Sequence, residues 1–179
     1  MRSWVFLYLS LLSLNVCALP SIAILDFELK DMTLAPEIPA EKERTASIKP
    51  LLENELKSAG YSLISIPHVA QQTANSGVGY LFDHADSAAK LGRDYGADYL
   101  LVGRLHKPSF LFVYLMGNLV NTHTGEWSGK FITESKGGDI KLTKKAVEGL
   151  AVKIDKVLEQ RYTPPAPDRL SSKQVTNIK

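Results

Sequence analysis

The chain is poor in cysteine, in excess charge and in long apolar segments. Cys17 is the only cysteine among 179 residues, which excludes a disulfide within the chain. The formal net charge is only +2, so the sequence lacks the basic signature that would imply nucleic acid as a partner. Apolar residues make up 45% and charged residues 22% of the chain, as in ordinary globular proteins. The composition predicts one globular domain.

The first 18 residues are typical of a secretion signal. Arg2 precedes a 13-residue apolar stretch, Trp4 to Val16, which is shorter than the roughly 20 residues that span a membrane. The residues before Leu19 are small or apolar, as a cleavage site requires. We predict a signal peptide over residues 1–18 and a periplasmic mature chain, with a retained anchor as the alternative. Lipid attachment to Cys17 is not expected, because valine precedes it.

A second uncharged stretch, Pro108 to Gly125, is 18 residues long. Turn residues interrupt it, and its apolar run from Phe110 to Met116 has only seven residues. Phenylalanine, valine and tyrosine favour strands. We predict that this run is the central strand of a sheet, covered on both faces, and that the mature chain has no transmembrane segment.

Hydrophobic periodicity predicts the element order β-α-β-α-α-β-β-β-α. Gly60 and Gly96 are expected to end the first and third helices, and Pro50 either begins the first helix or lies inside a longer, kinked one. The third strand is expected to alternate between two faces, with Leu101 and Leu105 on one and Leu100 and Val102 on the other. Glu28–Glu43 is predicted to be a long acidic loop with two prolines, either solvated or in contact with a partner. The order predicts an α/β (α+β) fold: a single domain over residues 19–160, with a five-stranded mixed sheet packed by helices. Residues 161–179 contain three prolines and are predicted to be a disordered C-terminal tail.

Charged residues cluster at the end of the third predicted strand. Arg104, His106 and Lys107 precede the turn at Pro108, and strand ends beside loops often bind ligands. The alternative is a set of solvated strand-end charges. A ligand site here would also use Tyr99.

Other constellations carry little chemistry. His84 lies between Asp83 and Asp86 at a predicted helix start, where helix capping explains the acids better than a metal does. The sequence has no GxSxG elbow and no phosphate-binding GxGxxG pattern. We therefore expect no catalytic residues, no metal and no cofactor, with His84 retained only as a binding candidate.

Three segments carry a resemblance to a known family: IAILDFEL, GADYLLVGRLHKPSFLF and NTHTGEW. Over Ile22 to Leu158 the chain resembles secreted bacterial proteins of a domain-of-unknown-function family, related to the TolB N-terminal and CsgG-like α/β domains. The resemblance implies a non-enzymatic envelope module that binds a protein partner, with a link to periplasmic quinoprotein alcohol oxidation. Where relatives carry a cysteine pair, this chain has His84 and Ser87, so no thiol role carries over.

The mode of binding stays open at this stage. A protein partner could pair with a sheet edge, such as the fifth predicted strand around Lys130, or contact the acidic loop. A small-ligand carrier or sensor with its site near Arg104 and His106 is the alternative. Self-association into a homo-oligomer is a further possibility.

Overall fold

The computed structural model describes residues 19–36, 38–135 and 140–158. The predicted signal peptide and the predicted tail lie outside the described residues. Within the described residues, no helix is both long and apolar enough to cross a membrane.

The described part of the chain forms one sheet and its covering helices. The strands are β1 (Ser21–Ile24), β2 (Glu28–Asp31), β3 (Ser62–Ile64), β4 (Tyr99–Lys107), β5 (Tyr114–Asn121) and β6 (Trp127–Glu134). The helices are α1 (Pro39–Ser58), α2 (His68–Ala74), α3 (Tyr80–Asp83), α4 (Ala85–Asp94) and α5 (Ile140–Val157).

The sheet is mixed and open. Its order is β3-β1-β4-β5-β6, with β2 also paired to β4. The strands β1 and β2 lie one after the other along β4, both parallel to it, at Ile22–Ile24 and Glu28–Asp31. The strands β5 and β6 are antiparallel additions. The predicted single α/β domain with a mixed sheet is confirmed.

Helices cover both faces of the sheet, and the residues of β4 alternate between two cores. Leu101 and Leu105 pack with α1 and α5 in the first core. Leu100 and Val102 pack with α4 in the second core. This alternation was predicted, and it follows from the period of two along a strand.

The segment Glu28–Glu43 is not the long loop that its composition predicted. Its first residues form β2, and its last residues belong to α1, which begins at Pro39. Pairing with β4 places a polar sequence in a strand, and the buried Glu41 belongs to the first turn of α1. Pro50 lies inside α1, so the longer of the two predicted helices forms.

The apolar run from Phe110 to Met116, predicted to be the central strand, starts before the strand that the structure shows. Phe110, Leu111 and Phe112 are 62%, 74% and 46% exposed, and β5 begins only at Tyr114. The backbone N–H groups of Leu111 and Phe112 donate to the Ser109 hydroxyl, which forms a local turn and competes with strand pairing. The interior position of β5 between β4 and β6 is confirmed.

Two helix ends agree with the sequence and one helix start does not. Gly60 and Gly96 follow α1 and α4 with φ of +95° and +75°, as predicted for helix-ending glycines. Asp83 was predicted to cap α4, but it is the last residue of α3, and His84 occupies the cap position. The additional short helix, α3, directly follows Gly79, which has a left-handed conformation.

Candidate functional site

A groove lies beside β2, on the side away from β4. The strand β3 pairs with β1 only as far as Ala23, and its chain then turns at Pro67 into α2. Among the described residues, β2 therefore has β4 as its only strand neighbour. The helices α1 and α2 form the two walls of the groove.

The connectivity of the sheet explains why a groove forms here. After β2 the chain enters α1, which packs in the first core. After β3 the chain enters the α2–α4 region, which packs in the second core. Connections that leave neighbouring strands toward opposite faces open a crevice at the carboxyl ends of the strands, where ligands of α/β proteins commonly bind.

The backbone of β2 presents an edge to this groove. The Met32 N–H donates to the Lys107 carbonyl at 2.9 Å. Because alternate residues of a parallel strand pair with the same neighbour, Lys30 also turns its peptide groups toward β4. The peptide groups of Leu29 then point away from β4 and toward the groove.

A side chain takes the place of a strand at the inner end of the groove. The Asp26 N–H donates to Oε1 of Gln71 at 2.9 Å, and Nε2 of Gln71 donates to the Asp26 carbonyl at 2.9 Å. Gln71 is buried. Its amide thus makes the two hydrogen bonds that a neighbouring peptide group would make, and the sheet edge opens beyond this point.

Ionisable groups meet at the same end. The Asp26 carboxylate lies 3.0 Å from Nζ of Lys49 and 2.7 Å from Nδ1 of His68. Burial opposes ionisation of Asp26, but the hydrogen bonds from Lys49 and His68 outweigh it and lower the pKa of this carboxyl. Glu28 is paired with Arg104 at 3.2 Å. Lys42 also contributes to the lining of the groove.

The groove has the size of a binding site. Two adjoining depressions have volumes of about 420 Å³ and about 580 Å³ and share Asp26, Phe27 and Leu29 in their lining. Ligand sites typically fall between roughly 300 and 1,000 Å³. The floor is apolar at Phe27 and Leu29, while polar groups line the walls, so the groove suits a ligand with both apolar and polar parts.

The predicted site residues do not converge on one site. Arg104 and His106 share one face of β4, whereas Tyr99 and Lys107 lie on the opposite face. His84 lies at the start of α4, with its ring stacked on Tyr80 at a centroid distance of 4.0 Å.

Arg104 serves the fold through its own contacts. Its guanidinium donates to Glu28 and lies 4.0 Å above the Phe82 ring. The arginine side chain is only 12% exposed. It therefore ties β2, β4 and α3 together.

His106 lies next to Arg104 on the same face. Burial, together with the charges of Lys30 and Arg104, lowers the pKa of His106. Its Nδ1 is buried and has no hydrogen-bond partner among the described residues. The register places it between Lys30 of β2 and Tyr114 of β5.

Lys107 is buried rather than solvated. Its Nζ lies 3.0 Å from Glu41 and 3.5 Å from Asp31. Tyr99 is half-buried against the first core. Neither residue presents a polar group to the groove, since neither contributes to its lining.

Sequence reasoning missed the groove residues Asp26, Lys49, His68 and Gln71. Asp26 did carry a signal, because an acid directly after the first buried strand marks the carboxyl end of that strand. Lys49 and His68 lie 23 and 42 positions from Asp26, and nothing local in the sequence connects them.

The sheet order, the helices on both faces and the groove define an open mixed α/β domain with a sheet-edge site. Residues 20–151 match the DUF3280 family, described as a protein of unknown function (DUF2380), and the chain belongs to that family. The predicted membership of a family of unknown function is thus confirmed. No curated protein matches the chain.

Among the similar solved structures, two share the fold with a TM-score of 0.50 or more. PelC from Paraburkholderia phytofirmans, crystallised as a dodecamer, is 16% identical with a TM-score of 0.50, covering 79% of this chain and 89% of PelC. The hypothetical protein CT253 from Chlamydia trachomatis is 10% identical with a TM-score of 0.52, covering 78% and 98%. TolB from Acinetobacter baumannii is 14% identical with a TM-score of 0.49, covering 78% of this chain and 28% of TolB. The relation to CsgG-like domains stays a prediction.

Proposed function

We propose that this protein is a non-enzymatic interaction module of the cell envelope that binds a protein partner. The partner contributes an extended segment, which pairs with the free edge of β2 in the groove between α1 and α2. The observation that carries the proposal is this edge, where Leu29 turns its peptide groups away from β4. An added strand gains main-chain hydrogen bonds, and alternate side chains find separate pockets.

The lining of the groove fits an extended peptide. Phe27 and Leu29 offer an apolar floor for one side chain of the segment. On the α1 wall, Lys49 is already paired with Asp26 at 3.0 Å, so the open backbone of Leu29 supplies the polar part of the recognition. We expect an extended segment that places an apolar side chain over Phe27 and Leu29.

A small-ligand carrier is the rival function. Arg104 was predicted to hold the small ligand, but its guanidinium already contacts Glu28 and Phe82. These contacts favour a protein partner over a ligand bound by this arginine. The groove volume alone is compatible with a small ligand. We propose two candidates for the partner. One is a protein of periplasmic quinoprotein alcohol oxidation. The other is a second copy of this chain, in a homo-oligomer such as the PelC dodecamer.

The test is crosslinking in cells, followed by purification of the tagged protein and mass spectrometry of what is bound. Leu29→Pro removes an N–H that points away from β4, so it should spare the ladder. We expect this variant to lose the partner, whereas Lys130→Pro on β6 should keep it. The reverse result would move the interface to the β6 edge.

A second pair of variants keeps the test valid if proline unfolds β2. Ala46→Arg places a long side chain on the α1 wall of the groove, and Asn54→Arg makes the same kind of change elsewhere on α1. We expect loss of the partner only with Ala46→Arg. Equal recovery of the partner by both folded variants would contradict the proposal.

A further inference from the structure

One end of the molecule carries a patch of exposed large apolar side chains, which we call the apolar tip. In the β2–α1 loop, Met32, Leu34 and Ile38 are 62%, 99% and 42% exposed. Phe110 and Leu111, in the β4–β5 loop, are 62% and 74% exposed, and Phe112 completes the patch. Large apolar side chains exposed together at one end of a domain often mark an interaction site.

The two loops of the apolar tip leave the sheet side by side. Asp31, the last residue of β2, pairs with Lys107, the last residue of β4. The two chains therefore exit at the same end of the sheet. Nζ of Lys107 also lies 5.7 Å from the centre of the Phe110 ring. The apolar side chains of both loops therefore lie at the same end of the sheet.

The start of α5 brings lysines to the same end. The hydroxyl of Thr143 accepts a hydrogen bond from Nε of Arg44 at 2.8 Å, which places the first turn of α5 beside the first turns of α1. Lys141, Lys144 and Lys145 are exposed there. Leu142, between them, is 38% exposed.

These lysines are not explained by helix stability. The N-terminal end of a helix carries a partial positive charge and favours acids rather than cations. The first turn of α5 contains no acid. The exposed acids of the described residues nearest this end are Glu43 and Glu134. Among the described residues, three exposed lysines of this helix turn thus lie near two exposed acids.

We infer that the apolar tip docks on an anionic lipid surface. Apolar side chains that enter the headgroup boundary, together with lysines that attract anionic headgroups, form the usual combination of a peripheral membrane contact. Because the lysines are positively charged, we expect the apolar tip to bind an anionic bilayer more tightly than a neutral one. Leu19, the first described residue, lies beside Gly60. Both residues are at the end of the sheet opposite to the apolar tip.

The groove and the apolar tip are different surfaces, so this inference stands apart from the partner proposal. The purified protein is mixed with vesicles of phosphatidylcholine alone, or with added phosphatidylglycerol, and sedimented. We expect binding to the anionic vesicles and its loss at high salt. Phe110→Ser with Leu111→Ser should lower partitioning by on the order of tenfold. Lys144→Gln with Lys145→Gln should lower it on the order of tenfold as well.

Val69→Ser is the matched control, because Val69 is 71% exposed on α2, away from the apolar tip. It should leave partitioning unchanged. Each variant retains the same N-terminal segment, so any lipid affinity of that segment cancels in the comparison. Equal binding by all variants, or no binding to anionic vesicles, would overturn the inference. Loss of a crosslinked protein in the Phe110→Ser variant, without lipid binding in the parent, would assign the tip to a protein instead.

Discussion

The Nζ of Lys107 lies 3.0 Å from Oε1 of Glu41, and both residues are buried. This contact joins the last residue of β4 to the first turn of α1, across 66 positions of sequence. Glu41 also lies 3.4 Å from Arg44, whose guanidinium donates to Ser135. The pair thus fixes the base from which both loops of the apolar tip project.

Replacement of Lys107 should destabilise the fold. Lys107→Met leaves Glu41 buried with Arg44 as its remaining cation, and breaking a buried pair costs about 3–5 kcal/mol. We expect a loss near the lower end of that range in urea unfolding. Lys130→Met on the exposed part of β6 should be close to neutral. Similar stabilities for the two variants would show that the buried pair is not important for folding.

Glycine-to-alanine changes should have opposite effects at two positions. A Cβ at Gly103 would lie 2.2 Å from the Phe27 ring, and overpacking of this kind costs about 1–3 kcal/mol. A Cβ at Gly149 in α5 would meet Thr133 at an ordinary 3.5 Å, and alanine gains up to about 1 kcal/mol over glycine in a helix. Thermal unfolding of both variants tests this. A stable Gly103→Ala would mean that the Phe27 ring moves aside freely.

The side-chain amide of Gln71 should contribute more to the free energy of unfolding than the side-chain amide of Gln72. Gln71→Met removes both hydrogen bonds to the backbone of Asp26, and an unsatisfied buried group costs about 1–3 kcal/mol. Gln72→Met changes an exposed residue of the same helix and should cost little. Chemical denaturation compares them. Equal losses would argue that water replaces the Gln71 amide without penalty.

His106 should make stability depend on pH. Burial, followed by the charges of Lys30 and Arg104, lowers the pKa of His106 in the folded chain below its ordinary 6.5. The unfolded chain then binds the extra proton first, so stability falls as pH drops below about 6.5 toward the lowered folded pKa. His106→Gln should reduce the difference between unfolding free energies at pH 7.5 and pH 5.5. An unchanged difference would assign the pH dependence to other groups.

Local signals predicted the parts of the fold that depend on neighbours in sequence. Alternation of apolar residues identified β4 and its two faces, since side chains of a strand alternate. Gly60 and Gly96 marked helix ends because their left-handed conformations strain other residues. Hydrophobic periodicity did not predict β2, because its sequence is polar. This segment becomes a strand only because it pairs with β4. The sequence signal failed again for Phe110–Phe112, because an apolar run predicts burial without showing what would cover it.

The sequence by itself determined the class of fold, the order of most elements and the family of the chain. It could not determine the candidate site, because Asp26, Lys49, His68 and Gln71 meet only after β3 turns away from the sheet at Pro67. The same holds for Lys107, which the sequence placed at a solvated strand end and the first turn of α1 buries. Periodicity reports which face of an element is buried, but only packing decides which elements meet. The packing of these elements produces the open sheet edge, the groove beside it and the apolar tip.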